Sequence, residues 1–84
     1  INKAAESQQA IDDAKKEIDA RYYTEAQRLA KEHQENIDKI TLAYGGTPQL
    51  KEKLAQEDAL YAAQTAKLMA EKEQEYNQYF SFET

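Results

Sequence analysis

The chain runs from Ile1 to Tyr44 without a glycine or a proline, and from Gln49 to Thr84 without either again. Both glycines and the single proline stand within four positions, in the stretch TLAYGGTPQL, as Gly45, Gly46 and Pro48. No other feature restricts the fold so strongly. Two long uninterrupted segments rich in Ala, Glu, Gln, Lys and Leu, the strongest helix formers, flank one short break. Valine and tryptophan are absent, and the fold class expected is all-α with no sheet.

The break itself reads in order. Gly45 is expected to supply the left-handed residue that ends a helix, and Gly46 to loosen the link. Thr47 is a good N-cap, and Pro48 fits the first helical position, where its missing N–H is not needed. So short a link makes its neighbours antiparallel. The chain is therefore predicted to be one domain over residues 1–84. Its form is a long antiparallel two-helix hairpin, a helical coiled coil, with one helix from about 3 to 44, a turn at 45–47 and a second helix from about 48 to 80.

Periodicity supports both arms. Ile11, Ala14, Ile18, Tyr22, Ala26, Leu29, His33, Ile37, Ile40 and Tyr44 recur at steps of three and four. Their mean spacing suits an eleven-residue repeat, which winds nearly straight or slightly right-handed, rather than a heptad. In the second arm Leu50, Leu54, Tyr61, Thr65, Leu68, Tyr76 and Tyr79 share a face, with Glu57 and Lys72 filling two polar positions on it. Antiparallel pairing then predicts contacts whose residue numbers sum to about 94: Ile40 with Leu54, His33 with Tyr61, Ala26 with Leu68, Ile18 with Tyr76. Six alanines between Ala55 and Ala70 keep a second side of this arm slim. Two helices alone bury little for a domain of this size. Self-association is expected, and pairing with a second copy would turn the hairpin into a four-helix bundle.

Charge and composition exclude several roles. The net charge is −5 and the excess is shared by both arms, nine acids against seven bases in 1–44 and seven against four in 45–84. With no basic patch, direct binding of nucleic acid or an anionic membrane is disfavoured. No run approaches the length of a membrane span or of a secretory leader. Without cysteine there is no disulfide or thiolate metal site. Asp12–Lys16, Glu17–Arg21 and Glu35–Lys39 are acid-before-base pairs of a solvated helix face. The carboxylates are read as solubility, since none makes a spaced pair on the apolar face. The only histidine, His33, has no second histidine to complete a metal site and is read as a seam residue. YGGTP lacks the lysine and the spacing of a phosphate loop. No catalytic residue and no cofactor is assigned, and the chain is expected not to be an enzyme. The tail EYNQYFSF carries more aromatic surface than one helix face buries, so Tyr79, Phe80 and Phe82 are candidates for docking a partner.

The run EHQENIDKITLAYGGTPQLKEKLAQEDALYAAQTAKLMAEKEQEYNQYF resembles helical segments of the tail tape measure proteins of lambda-like bacteriophages and prophages. It has their cadence of a mixed-charge helix, an AYG turn and a Leu- and Gln-rich helix of the LYAAQ type, and the resemblance spans about residues 20–80. It implies a structural role. Members fill the tail tube, set its length and leave before the DNA, in company with other tail proteins. It also implies a location in the virion tail or the host cytoplasm, and a chain that is a piece of a longer one, in keeping with a start at Ile1 rather than Met. The hairpin departs from the simple rod of that family. A second resemblance, to small secreted helical hairpins of the WXG type, rests on Tyr44-Gly45-Gly46, which lacks the Trp, and on the spacing from Tyr79 to Glu83. It implies a secreted or adaptor hairpin that binds a protein partner.

Overall fold

A computed structural model describes residues 3–80, with side chains from Ser7 onward. Two α-helices, α1 (Lys3–Tyr44) and α2 (Leu50–Phe80), lie antiparallel against one another and form an all-α hairpin. The Cα radius of gyration is 19.5 Å, against about 12 Å for a compact domain of this length. The molecule is a rod, and nearly everything holding it together lies along one seam.

The turn assigns the two glycines differently from the order read in the sequence. Gly45 continues the helical bonding, its N–H reaching the Thr41 carbonyl at 2.9 Å. Gly46, with φ of 78°, is the left-handed residue. Gly45 is still needed as glycine for another reason, because a Cβ there would stand 2.5 Å from the Thr41 carbonyl oxygen. Thr47 also turns backwards. Its hydroxyl donates to the Tyr44 carbonyl at 2.6 Å and its N–H donates to the same oxygen at 3.0 Å. The side chain thus closes the end of α1 instead of capping α2. The Thr47 carbonyl accepts from the Leu50 N–H at 3.3 Å. Pro48 sits inside that tight turn, where it owes no hydrogen bond. The α-helix proper starts two residues later than expected, at Leu50. Gly46→Val should cost about 1–2 kcal/mol, since a β-branched residue is strained at positive φ. Gly46→Asn should lose much less, because asparagine tolerates this region. Urea melts of the two variants decide it; a Gly46→Val midpoint equal to wild type would mean the link relaxes freely.

Along the seam, Ile18, Leu29 and Leu68 are the most buried apolar residues, at 8–9% exposure. Ile11, Tyr22, His33, Ile37, Ile40, Leu54, Tyr61 and Tyr76 are half-buried. Two helices can screen each other on one side only, so most of the stripe keeps an edge in water. One level differs from expectation. Ala26, expected opposite Leu68, is exposed, and Glu25 takes the inward position beside it. Leu29, Leu68 and the stem of Glu25 line the same groove. The stripe at this point runs through 22, 25, 29, 33 and 36, a local mean spacing of 3.5 residues, shorter than the eleven-residue spacing expected over the whole arm.

Candidate functional site

The middle of the seam holds a polar cluster built by one turn of each helix. His33 stacks on Tyr61 with ring centroids 4.1 Å apart and an angle of 9° between planes. Its Nδ1 lies 2.9 Å from a carboxylate oxygen of Glu57. A carboxylate can only accept, so the Nδ1–H donates. Nε2 lies 3.6 Å from Asp58, which is 69% exposed, too far for a direct hydrogen bond. The Glu57 side chain is only 8% exposed. Reading the carboxylates as solvated surface therefore fails at Glu57. It is buried on the apolar face, and the histidine of the opposite helix satisfies it. The cluster has one imidazole and two carboxylates and no nucleophile beside them. Among the described residues no group of three or more His, Asp and Glu side chains is placed to hold a metal ion. The arrangement is sensitive to register: His33 touches Tyr61 and Glu57, which are one turn apart on α2, so slipping one helix by a turn in either direction would part it from one of them.

A second clamp lies toward the open end. The Tyr76 hydroxyl donates to Asp19, and Lys72 Nζ is 3.1 Å from the same carboxylate. Arg21, expected to pair with Glu17 on its own helix, reaches across to Glu75. The Tyr76 hydrogen bond, then Lys72, holds the Asp19 carboxyl below the usual carboxylate range. Asp19 in turn raises the Tyr76 phenol. A carboxyl lowered by folding contributes stability above its unfolded pKa and loses it as pH falls through the folded value. A phenol raised by folding contributes below about pH 10 and loses it as pH rises through its folded value. The clamp should therefore act across the neutral range and fade at both ends. Asp19→Asn should flatten part of the decline in urea midpoint between about pH 5 and pH 2. Parallel acid limbs for wild type and variant would show that Asp19 carries none of it.

The aromatic candidates at the open end divide. Phe80 is half-buried, tilted against Tyr76 at 5.6 Å and covered by Lys15, whose Nζ is 5.5 Å from the ring centroid. Tyr79 is 62% exposed, and its ring lies 6.4 Å from that of Phe80. Phe82 lies outside the described residues. Ile11, Ala14 and Ile18 of α1 join Tyr79 and Phe80 in lining an open groove at this end. Of the two described, Tyr79 offers the more free surface and Phe80 is largely used within the hairpin.

No helix is long and apolar enough to cross a membrane among the described residues. No family model matches the chain, and neither the curated proteins nor the solved structures hold a match to it.

Proposed function

We propose that this chain is a structural, non-enzymatic helical segment of a tail tape measure-like protein, acting in tail length determination and assembly through lateral contacts with other chains, its own copies first. The observation that carries the structural part is the form of the molecule. A rod with a radius of gyration of 19.5 Å and, among the described residues, three apolar side chains buried to about nine-tenths keeps apolar surface still to cover. That suits a spacer or scaffold element. The tail assignment rests on the resemblance of residues 20–80 to tape measure segments, and it carries with it a longer parent chain. A second reading, an adaptor or secreted hairpin that docks a protein partner through its aromatic end, is favoured by the exposure of Tyr79.

Deleting the segment in frame from the parent polypeptide separates them. If it runs extended in the assembled tail, 84 residues at 1.5 Å each shorten the tail by about 120 Å, and by about half that if the hairpin persists. Electron micrographs of tails from such a mutant measure the change. Tails of unchanged length, or a parent reading frame that closes near Thr84, would overturn the tape measure assignment.

A further inference from the structure

The two sides of the hairpin differ sharply. A residue that follows a seam position lies about 100° further round its helix. Because the helices are antiparallel, such residues from both arms emerge on the same side, and those that precede seam positions emerge on the other. The cross-helix pair Arg21–Glu75 shows this, since each residue precedes a seam tyrosine. So does the groove that Arg28, Gln64, Lys67 and Glu71 line together. That side is charged: of the residues preceding seam positions on α2 between 56 and 75, only Leu60 is apolar.

The opposite side is slim and mostly apolar. From α1 it presents Tyr23, Ala26, Ala30, Gln34 and Ile37. From α2 it presents Met69, Ala66, Ala62, Asp58 and Ala55. Taken in that order they form five levels, each with residue numbers adding to 92. Tyr23 is 64% and Met69 57% exposed, and the five alanines are exposed as well. We propose that this face docks a second copy of the chain, with both turns at the same end, to close a four-helix bundle. The inference rests on the self-association reading above and names its surface.

Three observations support that occupant. The chain exposes 6713 Å² where a folded monomer of 9.6 kDa exposes about 5,100 Å². The excess of about 1,600 Å² is twice what one partner contributes to a standard interface. Next, the face is complementary to itself. A two-fold axis along the rod lays α1 on α2 of the copy, antiparallel, so that each level meets its own counterpart. Tyr23 then meets Met69 of the copy, a favourable sulfur–aromatic contact, and the alanine levels allow close approach of the helices. Finally, Gln34, whose amide now reaches only Asp38 on its own helix, faces Asp58 of the copy and can donate to its carboxylate. Placing the turns at opposite ends would instead set Asp58 against Ala66 of the copy, with no donor for it.

Sedimentation equilibrium of the 84-residue chain at tens of micromolar should give about twice 9.6 kDa. Ala62→Glu puts a charge in the middle of the face at a position exposed in the single hairpin. It should keep the helical circular dichroism and weaken the dimer at least about tenfold. Gln64→Glu, on the charged side, should change it less than about twofold. With no native cysteine, a spin label at Gln49→Cys is unique. Same-end turns give label distances under about 30 Å, and opposite ends more than about 45 Å. A dimer indifferent to Ala62→Glu, or one with distant labels, overturns this inference and leaves self-association standing through another surface. A wild type of 9.6 kDa throughout the concentration range overturns both.

Discussion

Leu68→Ala should lower the unfolding free energy by about 2–3 kcal/mol, and Leu29→Ala by a similar amount. These two and Ile18 are the most buried apolar side chains, and Leu29 and Leu68 line one groove from opposite helices. Removing either takes a branched side chain from the seam and leaves its partner facing a gap. The groove is open, so water can enter and the cavity part of the loss is small, which keeps the figure at the lower end of the range for leucine deletions. Ile40→Ala, at a half-buried site near the turn, should lose less. Lys31→Ala, on the exposed side of α1, should stay within about 0.5 kcal/mol. Urea unfolding followed by circular dichroism ranks all four. Equal effects at Leu68 and Lys31 would mean that the seam does not hold the hairpin together.

The hairpin and its register were legible because they follow from spacing alone. The clustering of Gly45, Gly46 and Pro48 marks one turn, and a short turn ties residue numbers across the seam, so His33 could be set opposite Tyr61 without coordinates. Details decided by a single dihedral or by a local choice between neighbours were not legible. Two consecutive glycines have the same intrinsic freedom, and only the completed bond from Gly45 to Thr41 shows that Gly46 carries the positive φ. Ala26 and Glu25 both fit the stripe within the tolerance of a 3.67 spacing. Alanine is the better core residue, yet Glu25 can turn inward because its carboxylate returns to Arg28 at the surface. Glu57 was misjudged because it was weighed on its own helix. Its signal lay across the seam, one turn from the level of Tyr61, where the only histidine stands opposite. The same holds for Asp19, which sits within one residue of the Tyr76 level. Reading the polar positions of each stripe against the opposite stripe would have found both.

His33→Ala should be among the most damaging changes in the seam, costing about 2–3 kcal/mol. The histidine supplies the hydrogen bond that satisfies Glu57, whose side chain is 8% exposed, and an ionised carboxylate left in that position without a donor loses its compensation. The stacked contact with Tyr61 goes at the same time. The glutamate chain is long and the seam has an open edge, so part of the loss is recovered when the carboxylate swings toward water. Glu57→Gln keeps an acceptor for the Nδ1–H and should cost under about 1 kcal/mol. Replacing both partners together, His33→Leu with Glu57→Leu, removes the buried charge along with its donor and should fall between neutral and about 2 kcal/mol stabilising, because desolvation of a buried pair commonly offsets its attraction. The two single leucine variants complete the cycle, and urea melts at pH 7 give the coupling directly. If the double variant is the more stable, the pair exists to set register, and its loss should appear as mixed pairing of the two helices, seen as broadened amide resonances around Tyr61. A His33→Ala midpoint within about 0.5 kcal/mol of wild type would instead show that Glu57 is hydrated in solution and that the apolar seam alone fixes the alignment.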